Sequence, residues 1–300
     1  MTQATPILHM FAPQKHMSPF DVNMAADAGF KVIIPYINVE LTEITGLVQD
    51  AIFSRPPDYG IRTGVFIGGK DALLALDMMK AAKEALVPPF QLSVFADPAG
   101  SFTTAAGMVA CVEKVLREKH SRGLDGTTVT VFGATGVVGF ASAVIAALEG
   151  AKVKMVAHRG VERVFKTAEA AKERFGVDLE PVPGETPEQK AEIVKNAEVV
   201  FAAAAAGVQI LSSAELQSAK NLLVAADVNA VPPPGVEGMD LFMKGEILPG
   251  CTRTSGVGPL AIGDIKYKTQ AGLFTRMINA TEPVHLDFRD AFKLARSFVA

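Results

Sequence analysis

Three glycines, Gly133, Gly136 and Gly139, fall at intervals of three in GATGVVG, directly after the β-branched run TVTVF and before an alanine-rich helical run. That spacing suits one task. Gly133 permits a sharp turn out of a strand, Gly136 lets backbone approach a pyrophosphate, and Gly139 lets a helix pack closely on a sheet. With Ala134, Thr135, Val137 and Val138 between and beside them, the loop would offer phosphates the free N–H groups of a helix N-terminus. The pattern is G-x-x-G-x-x-G, a variant of the strict dinucleotide fingerprint, and its position between a strand and a helix separates it from a turn that serves packing alone. The next strand ends in VAHRGVER. An NAD site usually carries an acid there for the ribose 2′-hydroxyl; this chain has His158 and Arg159, then Arg163, and guanidinium groups suit a 2′-phosphate. NADP is therefore the expected cofactor, with NAD left open because contacts outside this stretch can also hold a ribose.

The elements that must position such a loop follow from the hydrophobic pattern. In the first part of the chain the apolar runs ILHMFA, KVIIPYI, TGVFIGG and QLSVFA alternate with four helical patterns, the last being SFTTAAGMVACVEKVLREK. Alternation of this kind predicts a mostly parallel sheet covered by helices. The polar, glycine-bearing stretch KHSRGLDG (119–126) marks a boundary. Domains are expected over 1–122 and 123–263, with helical segments in 264–300 returning to the first. The second domain repeats the logic, with strands in TVTVF, VKMVA, AEVVFAA and LLVAADV and helices over 137–149, 161–175, 187–196 and 213–219. NAVPPPGVEG after the last of these strands must be a loop, since consecutive prolines neither extend a helix nor pair in a central strand. A further helix is expected from Asp264 to Met277 and another from Phe288 onward. The fold class is thus two-domain α/β: a parallel-sheet substrate domain, then a Rossmann-type NAD(P)-binding domain, with a cleft between them.

Composition narrows the partners. At 300 residues the chain exceeds one ordinary domain of ~100–200 residues. Apolar residues make up 49% and charged residues 20%, which excludes a disordered chain. A net charge of −3 and no basic run longer than two argue against nucleic acid. The longest uncharged apolar stretch is broken by the three loop glycines, and the N-terminus lacks the basic and apolar regions of a signal peptide, so no membrane association and a cytoplasmic location are expected. The two cysteines are too few for a disulfide framework, and the five histidines show no metal-ligand spacing, so no metal is expected. The apolar surplus points to a homo-oligomer.

Several blocks in fixed order carry a resemblance: SPFDV (18–22), VFIGGKD (65–71), DPAGSFTTAAG (97–107), GATGVVG (133–139), VAADVNAVPPPGVEGMD (224–240) and GPLAIGDIK (258–266). Together, over nearly the whole chain, they resemble the bacterial methylene-tetrahydromethanopterin dehydrogenases, relatives in architecture of the folate-dependent methylene dehydrogenase/cyclohydrolases. The missing acid and the NAVPPPG loop look most like the members that use either NAD or NADP. The resemblance implies hydride transfer from N5,N10-methylene-tetrahydromethanopterin to NAD(P), a step of formaldehyde-derived one-carbon oxidation in methylotrophs, and suggests a trimer. It implies no cyclohydrolase activity, because the tyrosine-plus-lysine pair of the folate enzymes is not evident. Lys266 in GDIK matches the family lysine expected to point into the cleft and contact the pterin; Lys268 is its competitor.

Other candidates rest on location. Asp21, after the first strand, suits the donor-rich pterin as an acceptor, and is equally explained as a helix cap. Ser101, Thr103 and Thr104 cluster at a predicted helix N-terminus after the fourth strand, where they too can cap or bind. Tyr36 and Asn38 follow the second strand. Ala203, Ala204 and Asn229, after two strands of the second domain, are placed to line a nicotinamide pocket. From the residues alone two alternatives stay open: another two-domain NADP-dependent dehydrogenase of folate or shikimate type, and a non-catalytic NADP-binding sensor.

Overall fold

Two parallel sheets organise the chain, in a computed structural model that describes residues 4–300. The chain divides into two compact units, Met1–Thr103 with Tyr267–Leu294, and Thr104–Lys266 with Ala295–Ala300.

The first unit alternates β1 (Ile7–Phe11), α1 (Pro19–Ala28), β2 (Val32–Tyr36), α2 (Ile44–Phe53), a short α3 (Pro57–Gly60), β3 (Thr63–Ile67), α4 (Ala72–Glu84) and β4 (Ser93–Ala96). Its five-stranded sheet runs β12-β4-β3-β1-β2, where β12 is His285–Leu286. All pairs are parallel. The central strands β3 and β4 are buried throughout, as their unbroken apolar runs require when both sheet faces are covered. At the edge, β2 tolerates Pro35, because a missing N–H costs nothing on an unpaired side. Phe66, Phe95 and Phe274 meet with ring centroids 5.2–5.4 Å apart and form the core of this unit. Phe274 comes from the far end of the chain, on α10 (Pro259–Asn279).

The second unit begins within α5 (Ser101–His120) and continues β5 (Thr128–Phe132), α6 (Val137–Leu148), β6 (Lys152–Ala157), α7 (Glu162–Phe175), β7 (Leu179–Pro183), α8 (Pro187–Lys195), β8 (Val199–Ala202), α9 (Ser213–Ser218), β9 (Val224–Asp227), β10 (Lys244–Ile247) and β11 (Ser255–Val257). The last helix of the chain is α11 (Phe288–Val299). The seven-stranded sheet has the order β10-β11-β9-β8-β5-β6-β7, parallel except for β10. From β5 the chain winds outward through β6 and β7, then returns to the other side through β8 and β9. The reversal lies between β5 and β8, and ligands of open α/β sheets bind outside the carboxyl ends of strands at such a switch point.

Some expectations change. The division between units falls between Thr103 and Thr104, inside α5, whereas the polar stretch near residue 123 was the boundary read from sequence. Its cause is packing: an added Cβ at Gly107 would lie 3.1 Å from the Ile262 carbonyl, so α5 and α10 approach backbone to backbone. Met108, Val109, Val112 and Leu116 are completely buried. The late helix starts at Pro259, not Asp264, since proline suits the first helical turn. Strands β7, β10, β11 and β12 went unread: β7 (LEPVP) carries two prolines at a sheet edge, and the others are too short for a period-2 signal. Among the described residues no helix is long and apolar enough to cross a membrane.

Candidate functional site

The glycine loop is built as its spacing demands. Gly133 has φ +73°, and an added Cβ there would sit 2.2 Å from the Ala203 carbonyl oxygen, because the end of β8 closes over the turn out of β5. A Cβ on Gly139 would lie 2.3 Å from the Gly133 carbonyl, so α6 backs directly onto the loop. Gly136 differs. Its φ is −78° and a Cβ would meet only the Gly133 oxygen, at 3.2 Å; the Gly136 N–H donates to that oxygen at 2.9 Å. No side chain caps α6, so the N–H groups at Val137, Val138 and Gly139 open the helix without intrahelical acceptors. The loop with Ala134 and Thr135 therefore fits a pyrophosphate by an open face and free donors.

Beside it lies a cavity of about 480 Å³, walled by Gly133, Val156, His158, Arg159, Glu185 and Ala204 and by the start of α8. His158 and Arg159 are exposed at its rim, as a 2′-phosphate contact requires. Arg163 is not part of the wall: it sits in the first turn of α7, where its carbonyl accepts from the Thr167 hydroxyl. Ala203 also stays out of the wall. Its N–H donates to the Phe132 carbonyl and its own carbonyl abuts Gly133, so it serves the turn through its backbone. Glu185 was not foreseen. It follows β7, and the available signal was PGETPEQ, where Thr186 and Gln189 form a capping box that opens α8.

Asn229, expected near the nicotinamide, also holds loops together within the fold. Its Oδ1 accepts from the Val231 N–H at 2.9 Å and the Gly207 N–H at 3.3 Å, and its Nδ2 donates to the Pro233 carbonyl at 2.8 Å. The side chain thus pins the loops after β8 and β9 together. Asp227 completes the pin. Fully buried, it accepts from the N–H groups of Asn229 (2.9 Å) and Val236 (3.0 Å); burial pushes its carboxyl up, against the pull of those backbone bonds. Sequence gave no sign of it, because a strand-end aspartate looks the same whether it faces solvent or a loop.

Among residues read for the pterin, Asp21 is the third residue of α1 and is buried. Gln270 Nε2 on α10 donates to its Oδ1 at 2.7 Å. The Tyr36 hydroxyl lies 3.1 Å from His9 Nδ1, and its ring meets Phe11 edge-on at 5.3 Å. Burial, then the Arg55 charge, lowers the His9 pKa. Asn38 is exposed in a left-handed turn, φ 54°. Thr103 departs from expectation: it is fully buried, and its hydroxyl donates to Asp97 Oδ2 at 2.7 Å, while Asp97 Oδ1 takes the N–H groups of Phe102 and Thr103. Thr103 therefore fixes the start of α5 and has no hydroxyl to offer a ligand. Ser101 and Thr104 are half-buried in the same first turn. Lys266 is half-buried on α10 one turn before Gln270, on the same helix face by i,i+4 spacing, whereas Lys268 is exposed. Gly107 holds this part of α10 close, with an added Cβ only 3.2 Å from the Lys266 nitrogen. Among the described residues no group of three or more His, Cys, Asp or Glu is placed to hold a metal ion.

Known proteins fit this picture. Among solved structures, a shikimate 5-dehydrogenase from Listeria monocytogenes in complex with shikimate and NAD has a TM-score of 0.53 at 18% identity, covering 93% of each chain. A quinate dehydrogenase from Corynebacterium glutamicum in complex with NAD has a TM-score of 0.54 at 16% identity, covering 98% of this chain and 99% of that one. At such identities the likeness is one of fold. A family model described as methylene-tetrahydromethanopterin dehydrogenase, N-terminal, matches residues 19–99. An NAD(P)-dependent methylenetetrahydromethanopterin dehydrogenase of Methylorubrum extorquens is 54% identical over 97% of this chain and 98% of its own length. With identity at that level sustained from the first sheet through the glycine loop to the last helix, the chain belongs to the methylene-tetrahydromethanopterin dehydrogenase family.

Proposed function

We propose that the chain is an oxidoreductase that transfers a hydride from N5,N10-methylene-tetrahydromethanopterin to NAD(P)+, giving methenyl-tetrahydromethanopterin. The observation that carries this is the end-to-end identity to a dehydrogenase of that name. A built dinucleotide loop with an arginine at its cavity rim supports it.

When bound, the nicotinamide supplies the hydride acceptor. The chain's own task is positioning. The reacting carbon lies between two nitrogens whose lone pairs stabilise the cation, so no proton need be removed and no general base is required. The uncapped turn of α6 holds the pyrophosphate, Arg159 the 2′-phosphate when NADP is used, and Ala204 leaves the wall low. On the pterin side Lys266 orients polar ring atoms, with Asp21, Ser101, Thr104, Tyr36 and Asn38 as further contacts. Gln270 sets the Asp21 carboxylate. Self-association is supported by the edge strand β2, whose Val32 and Ile34 are 37% and 40% exposed and would gain from cover. A cytoplasmic location is supported by the two free thiols, Cys111 and Cys251.

Mixing the protein with methylene-tetrahydromethanopterin and either NAD+ or NADP+, and following reduced nicotinamide, tests the reaction. Turnover with both cofactors is the expected result. Cofactor binding without turnover would replace this reading with a sensor; turnover only on a folate or a shikimate would replace the substrate.

A further inference from the structure

The second strand of the cofactor unit ends without an acid, yet an acid stands at the same cavity. Glu185 lines it together with His158 and Arg159. Gly184 delivers it there: an added Cβ at Gly184 would lie 2.3 Å from Val156 Cγ1, so the end of β7 is held tightly against β6, with the Gly184 N–H on the Ala157 carbonyl at 2.9 Å. The next residue is pinned at two points. Its backbone N–H donates to Gln189 Oε1 at 2.9 Å, and its own Oε1 accepts from the Gly160 N–H at 2.9 Å, next to Arg159. Arg159 and Glu185 share the wall without forming an ion pair with each other, so each keeps a charge to present to a ligand.

We infer that Glu185 accepts the ribose 2′-hydroxyl of NAD, so that the acid missing from the end of β6 is supplied from the end of β7 and opposes Arg159 in setting cofactor preference. This rests on the cavity being the adenosine end of the cofactor site. A hydroxyl donates to a carboxylate in a charge-assisted bond, whereas a 2′-phosphate, acceptor-only and negative, is repelled by it and drawn to the guanidinium. One rim bearing both groups, unpaired to each other, accommodates either cofactor, and each group taxes the ligand the other favours.

Calorimetric titration with ADP-ribose and with its 2′-phosphate, probes that lack nicotinamide and undergo no turnover, reads this directly. Glu185→Gln keeps an oxygen for the Gly160 N–H and removes only the charge. It should weaken ADP-ribose by ~3–10-fold, as for a partly exposed charge-assisted bond, and leave the 2′-phosphate probe unchanged or tighter. Glu185→Asp should recover part of the discrimination. Equal losses for both probes would mean that Glu185 only braces the Arg159 loop; no change for either would mean that it faces no ligand. Each result overturns the inference while leaving the dehydrogenase reading intact. Failure of the wild type to bind either probe would sink the cavity assignment as well.

Discussion

Replacing the loop glycines one at a time should separate a fold requirement from a ligand requirement. At Gly133 an alanine must hold φ +73°, a left-handed conformation that costs roughly 1–2 kcal/mol for an L-residue. Its Cβ must also displace a backbone carbonyl lying 2.2 Å away, and overpacking of that kind adds about 1–3 kcal/mol. The sum, ~2–5 kcal/mol, converts at ~2–4 °C per kcal/mol to a fall in Tm of roughly 4–20 °C. At Gly136 the first term is absent, since φ is −78°, and the second is small, since the nearest atom, the Gly133 carbonyl oxygen at 3.2 Å, need give only slightly. Gly136→Ala should leave Tm within ~2 °C of wild type, yet weaken NADP by ~10-fold or more, since its methyl occupies the face where backbone must approach the pyrophosphate. Thermal unfolding without ligand, paired with calorimetric NADP titration, reads both quantities. A Gly136→Ala protein that is strongly destabilised, or one that binds NADP like wild type, would refute the division of roles; so would a Gly133→Ala protein of unchanged Tm.

Arg159→Ala should raise the Kd for NADP by ~10-fold, the worth of one charge-assisted pair, and leave NAD nearly unchanged; equal losses in a binding titration would remove Arg159 from the 2′-position. Lys266→Gln should lower kcat by on the order of 10²-fold through misplaced pterin, with NADP affinity intact and no ionisation lost from the pH profile; near-normal turnover, with Lys268→Gln crippled instead, would shift the role. Glu198 is one source of acid dependence in the second unit. Partial burial pushes its carboxyl up, but the Thr128 N–H at 2.8 Å and the Arg122 guanidinium at 2.6 Å outweigh this and hold it below its ordinary 4.5. A folded pKa below the unfolded one means stability present above ~4.5 and lost as the pH falls through the folded value. The Tm difference between wild type and Glu198→Gln should therefore be full near neutrality and close in acid; a gap independent of pH would show that the pair contributes packing alone.

What could be read from sequence was local. The alternation of apolar runs and helical patterns specified parallel α/β layers because side-chain period is set by backbone geometry over a few residues. GATGVVG declared its turn and its helix start because the residues that need freedom from a Cβ are neighbours in the chain, and the arginine at the rim is a fixed step beyond them. Asp21 and Gln270 stand 249 residues apart, and neither residue type announces the other. Glu185 reaches the cavity only because β7 pairs with β6 through Gly184, on a proline-bearing edge strand whose pattern hides it. Thr103 looked like a ligand contact by position, but Asp97 claimed its hydroxyl first, and Asn229 also bonds the Pro233 carbonyl. A sequence names which groups can bond; which of those bonds the fold itself consumes, and which it leaves for a ligand, depends on the through-space neighbours that tertiary packing alone supplies.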